Sequence, residues 1–547
     1  MARAGVRRLP VADVQATGVP SPPVAARHSS LTDVLIAVGL ALAAIATRYP
    51  VRSRRAFNWD AVNFVLALAH YDVRLHHPHP PGYPAFVAMG RLLSFVIPDG
   101  NGALVATAML LSAGAVAALY WLGMMLFDRA TGIIAALYLL FSVTFWTNGA
   151  VALAYASLAL FGTLVALFAW RLHGESAETG ASATHVARYS LLLSAAYALG
   201  GGFRPDLLLF LAPLWLWGHS RAGWRQTAIG ALVVLAIITC WAVPMVVLSG
   251  GIGEYIKVFR AYAATDVLQR YSVAENGPRA LLVNLRDTAT YTGYALYALA
   301  LPVAGAAIWL RARVRQWRQP IVALFALWAA PMLLFYTWVH IGDPGYVFTF
   351  VPALLLIAAR FTVTVAHIKS RATSGAPANN TLPTQQGRPR RSRYALLVMA
   401  ALVAFPLASN TGIFLKRPLA LTAPGIRQQD RTVDGKIAYV RAHGDPATTL
   451  LISYESYRHW LLYLPEYRTQ FVDVTYGTEA DRTLTVPPGI TQVILMDDTL
   501  LRAVGNATVT NIASVERDRV GLLPAPGVSA APLHFAPVAS PLGAPRP

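Results

Sequence analysis

The chain has 547 residues, of which 56% are hydrophobic and only 13% are charged, against about 25% charged in an ordinary soluble domain. Apolar runs of about 20 residues recur along it, which excludes a soluble globular protein and indicates a polytopic helical membrane protein. The formal charge of +19 does not indicate nucleic-acid binding, because the arginines cluster between apolar runs, as topogenic loop residues do. The single cysteine, Cys240, excludes disulfides within the chain and a metal site built on cysteines.

The apolar pattern predicts an all-α membrane domain over residues 31–413, preceded by a disordered cytoplasmic tail at 1–30. About eleven transmembrane helices are expected, at 31–47, 102–126, 131–148, 150–170, 187–203, 204–218, 226–249, 288–310, 320–339, 345–366 and 393–413.

Arginines give the orientation of these spans. With the N-terminus inside, the arginine-rich connections, among them 311–318 and a flexible linker at 370–392, fall in the cytoplasm, as the positive-inside rule requires. The same parity places the external loop 48–101, a second external loop at 250–287 and the C-terminus outside. The apolar stretch Tyr83–Ile97 carries Arg91 and is too short to span, so it is predicted to be an interfacial helix.

Residues 414–547 have the pattern of a small extracytoplasmic α/β domain. Strands are predicted at Thr449–Ser453, Gln470–Val474 and Thr491–Met496, and helices at Gln428–Ala442 and Glu455–Leu464. The Ala/Pro-rich residues after about 523 are expected to be loose.

A polar, proline-rich island follows the first apolar run and contains Asp60, His77, His79 and Tyr83. A carboxylate at the outer membrane face can accept the proton of an acceptor hydroxyl. The prolines restrict the backbone and hold the histidines and the tyrosine in fixed places, which suits binding of a phosphate or a sugar. Two alternatives stay open: Asp60 pairs with the arginines at 52, 54 and 55, or the histidines bind a metal, although they lack the spacing of a zinc motif.

Two further polar segments interrupt the membrane domain at its predicted outer face. Arg204-Pro205-Asp206 is a functional hypothesis because ionisable residues at membrane depth are costly, and Arg204 can hold a lipid phosphate through charge-assisted hydrogen bonds. The alternative is an internal Arg–Asp pair that stabilises the helix junction. The segment from Gly342 to Tyr346 carries one carboxylate and is either part of a site or only a turn.

Three motifs of the first external loop occur together: Asp60-Ala61-Val62-Asn63-Phe64, His79-Pro80-Pro81-Gly82-Tyr83-Pro84 and Gly90-Arg91-Leu92. This combination resembles the first external loop of the GT-C glycosyltransferases, in the protein O-mannosyltransferase-like and aminoarabinose-transferase-like branch. Segments similar to those of that branch recur at Phe145-Trp146 through Tyr155, at Arg204-Pro205-Asp206 and at Gly345-Tyr346. The resemblance covers about 31–413.

The resemblance implies a sugar donor carried on a polyprenyl phosphate, attack by a hydroxyl of a glycan, lipid or protein acceptor, and inversion at the anomeric carbon. It implies that Asp60 is the general base and that His79 lies beside the donor phosphate. The substrate-binding residues expected overall are His77, His79, Tyr83, Arg204, Asp206, Arg260, Arg270, Arg279 and Tyr346, although solvated loop charge is an alternative for the last three arginines. No cofactor is certain, and a divalent cation is the less favoured alternative.

Two other function classes stay open. A transporter or lipid flippase would carry charges along a transit path or paired broken helices, whereas the ionisable groups here gather at one face. A non-catalytic membrane protein that binds a glycan or a lipid would be compatible with one departure from the family pattern. Some relatives carry an acidic residue in the segment that follows Phe-Trp, and residues 150–155 here contain none.

Overall fold

The computed structural model describes residues 30–177, 182–313, 319–372, 397–475, 477–505, 507–524 and 532–538. The tail predicted at 1–30 lies outside these ranges except for Ser30. The linker predicted at 370–392 also lies outside them, except for its first three residues, which end a helix.

Helices account for most of the described chain before residue 417. They are α1 (Leu31–Arg48), α2 (Trp59–Ala69), α3 (Pro84–Ser94), α4 (Gly100–Leu126), α5 (Arg129–Leu140), α6 (Val143–Asn148), α7 (Ala156–Glu175), α8 (Ala183–Phe203), α9 (Asp206–His219), α10 (Trp224–Leu248), α11 (Ile252–Tyr262), α12 (Gln269–Tyr271), α13 (Val273–Leu296), α14 (Ala300–Arg313), α15 (Gln319–Trp338), α16 (Val351–Ala372) and α17 (Phe405–Lys416).

The membrane architecture follows from the apolar runs. Seven described segments are long and apolar enough to cross a membrane: Leu31–Val51, Gly100–Leu126, Ala156–Glu175, Trp224–Leu248, Val273–Arg311, Pro320–Trp338 and Leu397–Lys416. Helix α4 is buried inside the bundle, whereas α10 exposes its apolar residues on nearly all sides, as a lipid-facing helix does. The helical membrane fold is therefore confirmed, and the number of spans stays a prediction.

The segment predicted as an external loop at 250–287 is mostly helical, formed by α11, α12 and the first half of α13, and its position outside the membrane stays a prediction. Its charged residues alternate with Ile252, Tyr255, Ile256 and Phe259 at helical spacing, so the charge content hid an amphipathic helix. The span predicted at 288–310 is likewise interrupted, because α13 ends at Leu296 and α14 begins at Ala300.

The two ends of α1 mark the two ends of the bundle. At its start, Asp33 pairs with Arg129 at 2.8 Å. At its finish, Arg48 is fully buried, and its guanidinium donates to the carbonyl of Leu140 at 2.9 Å and to Ser112 Oγ at 3.2 Å. The chain that continues from Arg48 carries the polar island, so the island lies at the Arg48 end of the bundle.

After residue 417 the chain folds into a small α/β domain, as predicted. Its helices are α18 (Ala423–His443), α19 (Tyr457–Tyr463) and α20 (Asp498–Ala503), and its strands are β1 (Thr449–Ser453), β2 (Arg468–Phe471), β3 (Thr483–Leu484), β4 (Gln492–Leu495), β5 (Thr510–Val515), β6 (Asp518–Pro524) and β7 (Leu533–His534). The main sheet has the order β2-β1-β4-β6-β5. Strand β1 is parallel to β2 and β4, and β6 is antiparallel to β4 and β5.

Both faces of this sheet are covered. Leu450 and Ile452 of β1 face one apolar cluster, and Leu451 between them faces another that contains Trp460 of α19 and Val440 of α18. This alternation is the two-residue period of a strand. The continuous apolar run of β1, which is buried at every residue, is the signal by which the strand was predicted.

The α/β domain packs directly on the loop between α1 and α2. The Asp430 carboxylate accepts the backbone N–H groups of Arg54 and Arg55 at 3.0–3.1 Å. The Tyr463 hydroxyl accepts the N–H of Ala56 at 2.8 Å. These bonds fix the backbone a few residues before the predicted base, so the α/β domain helps to position Asp60.

The buried side-chain amide of Asn410 connects the segment between α13 and α14 to the rest of the bundle. Asn410 of α17 is fully buried. Its oxygen accepts the N–H of Ala298 at 3.0 Å, and its nitrogen donates to the carbonyls of Leu296 and Phe141, each at 3.0 Å.

Replacing Asn410 by Leu should therefore destabilise the protein by about 1–3 kcal/mol, because the N–H of Ala298 loses its acceptor and the buried carbonyl of Leu296 loses this donor. Thermal unfolding in detergent measures the effect. Thr411→Val is the matched control, since Thr411 bonds only to Leu407 of its own helix among the hydrogen bonds of the described chain. An unchanged unfolding midpoint for Asn410→Leu would contradict this account of the break.

Candidate active site

Asp60 lies in the first turn of α2. The side-chain oxygen of Asn58 accepts the N–H of Ala61 at 3.0 Å and begins the helix. A carboxylate in the first turn is stabilised by the positive end of the helix dipole. The side chain of Asp60 is 35% exposed, which leaves an oxygen accessible to a ligand.

The arginines beside Asp60 in the sequence have other partners. Arg55 pairs with Asp434 at 2.6 Å, and Arg52 stacks over Tyr49 with its Cζ 4.0 Å from the ring centre. The backbone N–H groups of Arg54 and Arg55 bind Asp430, as described above. The alternative in which Asp60 is neutralised by these arginines therefore has no support for Arg52 and Arg55.

The proline-rich loop brings His79 to Asp60. His79 Nδ1 lies 3.5 Å from Asp60 Oδ1, and its Nε2 forms a hydrogen bond of 3.1 Å with the Tyr83 hydroxyl. Gly82 has φ +118°, and a Cβ there would come within 2.7 Å of Met245 Sδ and 2.9 Å of the Tyr71 hydroxyl. A glycine is thus required for the turn that sets His79 and Tyr83.

His79 is buried among aromatic rings. Its ring centre lies 5.5 Å from that of Phe64 and 4.8 Å from that of Tyr83. Burial lowers the pKa of His79, and the negative charge of Asp60 offsets part of that shift. The imidazole is therefore neutral at pH 7 and can share a hydrogen bond without adding a full charge.

Arg204 occupies a cage of three tyrosines in the same region. Its Cζ lies 4.7 Å from the ring centre of Tyr346, 4.9 Å from that of Tyr155 and 5.3 Å from that of Tyr83, within the range of cation–π contacts. Arg204 is 3% exposed. Its only ion pair within the described chain is with Asp206, at 3.2 Å.

A second carboxylate, Asp343, belongs to the same region. Its Oδ1 accepts the N–H of Gly345 at 2.8 Å, which closes the turn before Tyr346. Burial raises the pKa of Asp343 to about 6, and the charge of Asp60 adds to the increase. A Cβ on Gly345 would come within 2.2 Å of the Tyr155 ring, so this glycine lets Tyr155 reach Arg204.

The chain is similar to one protein family over part of its length and to several solved structures over most of it. Residues 60–227 match the family described as the Protein O-mannosyl-transferase TMEM260 N-terminal domain. No curated protein sequence matches the chain. Among solved structures, ArnT from Cupriavidus metallidurans in the apo state is similar with a TM-score of 0.54 and 16% identity, over 90% of this chain and 97% of that one.

Two further structures are similar over most of the chain. The oligosaccharyltransferase from Archaeoglobus fulgidus in the apo form gives a TM-score of 0.54 at 13% identity, over 86% of this chain and 70% of that one. ArnT from Cupriavidus metallidurans bound to undecaprenyl phosphate gives 0.52 at 16% identity, over 94% and 99%. Both proteins are GT-C glycosyltransferases. The chain has the GT-C fold.

Six of the ten residues predicted for the GT-C site converge: Asp60, His79, Tyr83, Arg204, Asp206 and Tyr346. The other four lie differently. His77 pairs through its backbone with Asp72, at 2.6 and 3.0 Å. Arg260, Arg270 and Arg279 are exposed on α11 to α13, and Arg270 pairs with Asp266 at 3.3 Å. Their roles in substrate binding stay predictions.

Arg458 of α19 and Tyr155 of the tyrosine cage also belong to this region and are not among the ten predicted residues. Arg458 comes from the α/β domain. Its guanidinium lies 5.9 Å from the ring centre of Trp59 and donates to the carbonyl of Leu75 at 3.2 Å. Its charge contributes to lowering the pKa of His79. The sequence signal was weak, because Arg458 lies in a different domain nearly 400 residues after Asp60. In the described part of the chain, no three His, Cys, Asp or Glu side chains form a metal-binding group.

The raised pKa of Asp343 predicts a pH-dependent stability. Its folded-state pKa of about 6 exceeds its unfolded value of about 4, so the folded state binds the proton more tightly. The stabilisation by this proton is complete below pH 4 and is lost as the pH rises through 6.

Asp343→Asn keeps the acceptor oxygen for Gly345 and removes the ionisation. The variant should gain stability relative to the parent at pH 7, by on the order of 1–3 kcal/mol, and should gain little at pH 4. Thermal unfolding at both pH values measures the difference. Equal shifts at pH 4 and pH 7 would contradict the assignment.

Proposed function

We propose that the chain is a membrane glycosyltransferase that moves a sugar from a polyprenyl-phosphate donor to an acceptor hydroxyl. The proposal rests on three groups that lie close together at one end of the bundle. They are the partly exposed carboxylate of Asp60, the buried cation of Arg204 and the neutral ring of His79. Tyr83 joins the two halves, because it bonds to His79 and packs against Arg204.

In the proposed reaction, the acceptor oxygen attacks the anomeric carbon while the bond from that carbon to the phosphate oxygen breaks, and the configuration inverts. Asp60 accepts the proton of the acceptor hydroxyl. The leaving phosphate takes the bonding electron pair, and the guanidinium of Arg204 stabilises the resulting charge in a site from which water is largely excluded. His79 lies beside the phosphate and holds the Asp60 carboxylate in place.

Arg204 is well suited to a phosphate. Asp206 contacts it at 3.2–3.3 Å through two nitrogens, and Asp206 remains 24% exposed. An incoming phosphate can thus share the guanidinium with Asp206 and form charge-assisted hydrogen bonds. The tyrosine cage keeps the guanidinium in one orientation, so little ordering is needed when the phosphate binds.

The similar structures support a lipid donor. One ArnT structure is bound to undecaprenyl phosphate. The oligosaccharyltransferase from Archaeoglobus fulgidus, in a structure similar to this chain at 14% identity and a TM-score of 0.52 over 86% of this chain and 70% of that one, is in complex with an inhibitory peptide and a dolichol-phosphate. We infer the same class of donor for this chain, with its lipid entering sideways from the bilayer, and we place the site on the extracytoplasmic face with the N-terminus inside.

Asp343 bears on the alternative of a non-catalytic binding protein. That alternative was compatible with the lack of an acidic residue at 150–155. The turn before α16 supplies another carboxylate, Asp343, whose pKa is raised in part by the charge of Asp60. Tyr155, the last residue of the segment 150–155, contacts Arg204. We therefore favour an active transferase.

The decisive experiment replaces Asp60 by Asn, which keeps the size of the side chain and removes the base. Transfer from radiolabelled polyprenyl-phosphate sugars to acceptors in membranes should fall by about 10²- to 10⁴-fold, without loss of folded protein. Asp99→Asn is the matched control, because Asp99 is also a carboxylate at the N-terminal end of a helix, where it accepts the N–H of Gly102 at 2.8 Å, but that helix is α4. Normal turnover by Asp60→Asn would refute the role of this carboxylate.

A further inference from the structure

The α/β domain contains a crevice at the carboxyl ends of its parallel strands. The chain leaves β1 through α19 toward β2 on one side, and it leaves β4 through α20 toward β5 and β6 on the other. The two loops therefore diverge between β1 and β4, which are adjacent in the sheet. Open α/β sheets bind ligands at such a point of reversal.

A cavity of about 370 Å³ lies at this crevice, a volume typical of small-ligand sites. Glu455 lines it from the loop after β1, and Asp498 and Thr499 line it from the loop after β4. The opposite wall is formed by Gln428 and Gln429 of α18. The polar lining also includes Thr432 of α18, Arg502 of α20, and Arg517 and Asp518 where β5 turns into β6.

The lining carries charges of both signs: the carboxylates of Glu455, Asp498 and Asp518 and the guanidiniums of Arg502 and Arg517. Asp518 pairs with Lys436, and Asp498 pairs with Arg519 and, at 2.9 Å, with Arg502. The carboxylates would repel an anionic ligand, and the arginines would repel a cation. The remaining groups include both donors, such as the amides of Gln428 and Gln429, and acceptors, such as Glu455.

A lining with charges of both signs and with both hydrogen-bond donors and acceptors suits a neutral ligand that is rich in hydroxyls. Each hydroxyl donates one hydrogen bond and accepts others, so it can use the amides, the carboxylates and the arginines together.

A short segment of the chain connects the cavity to the proposed active site. Phe57 lines the cavity and lies three residues before Asp60, a reach of about 10 Å in extended chain. The intervening Trp59 packs against Tyr457 and Phe471, with ring centres 6.3 and 5.9 Å away. The backbone of Ala56 is held by Tyr463 and by His459, whose Nε2 lies 3.0 Å from the Ala56 carbonyl oxygen.

We propose that this cavity, which we call the crevice site, binds a carbohydrate portion of the acceptor and presents a more distant hydroxyl of the same glycan to Asp60. The proposal rests on the proposed transferase function and narrows its acceptor to a glycan or a glycan-bearing molecule. The α/β domain then selects the acceptor, while the membrane domain holds the donor.

The test measures binding without any donor. Purified full-length protein in detergent is applied to a printed array of defined neutral and acidic oligosaccharides and, separately, to a peptide array. The parent should be retained on neutral oligosaccharides. The double variant Gln429→Ala/Arg517→Ala should lose at least tenfold in retention, because two groups of the crevice site are removed.

The control variant is Arg441→Ala, which removes an exposed arginine of α18 that pairs with Glu466 at 3.8 Å, outside the cavity lining; its retention should equal that of the parent. Thr499→Val serves as a second, conservative variant if the double variant has a lowered unfolding midpoint. Asp60→Asn should bind glycans like the parent, so loss of catalysis and loss of the crevice site are distinguishable.

Three results would overturn the proposal. They are absence of retention on every neutral oligosaccharide, equal retention of parent and crevice variants, and retention on peptides alone that the crevice variants abolish. The last result would assign the crevice site to a peptide acceptor.

Discussion

The structure depends on the burial of one guanidinium. Arg204 lies at the junction of α8 and α9, almost fully removed from solvent, and an unpaired charge in such a place costs several kcal/mol. Its compensation comes from four separate parts of the chain: Asp206 of α9, Tyr83 of the proline loop, Tyr155 before α7 and Tyr346 of the turn before α16. Removing the cation would leave these segments without their common partner.

This arrangement links the donor end of the proposed reaction to the base. Tyr83 is shared, since its ring faces Arg204 and its hydroxyl bonds to His79, which in turn lies beside Asp60. A shift of Arg204 toward a bound phosphate would therefore change the position of Tyr83, and through Tyr83 and His79 that of the Asp60 carboxylate. The α/β domain also helps to position the Asp60 carboxylate, because Asp430 and Tyr463 fix the backbone at residues 54–56, shortly before Asp60.

The sequence was sufficient for the parts of this site that are local. Apolar runs predicted the helical membrane fold, and the proximity of Asp60 and His79 followed from a compact proline-rich motif. It was insufficient where packing between distant segments decides the outcome. Asp343 is equally compatible with a simple turn in the sequence, because its burial depends on packing between distant segments, such as that of the Tyr155 ring against Gly345. The contact of Asp430 with Arg54 joins residues 376 positions apart, and the sequence pattern gives no sign of it.

Some helices and strands are not predicted as such, because their apolar pattern is interrupted by charged or exposed residues. Helices α11 and α12 and the first half of α13 lie in the segment predicted as an external loop, because its charged residues outweigh a helical period of apolar ones. Strands β5 and β6 were not predicted, since β5 is partly exposed along its length and the turn that follows is charged, Glu516-Arg517-Asp518-Arg519. The buried strands β1 and β4 were predicted nearly to the residue because both of their faces are covered.

In the proposed mechanism, Arg204 holds the donor phosphate in the same hollow as Asp60. A cryo-EM structure of the full chain in lipid nanodiscs with added undecaprenyl phosphate would reveal where the phosphate binds. Phosphate density is expected within about 3 Å of the Arg204 guanidinium, on the side that faces His79 and Asp60. Phosphate density elsewhere in the bundle, with the pair between Arg204 and Asp206 unchanged, would refute this role of Arg204.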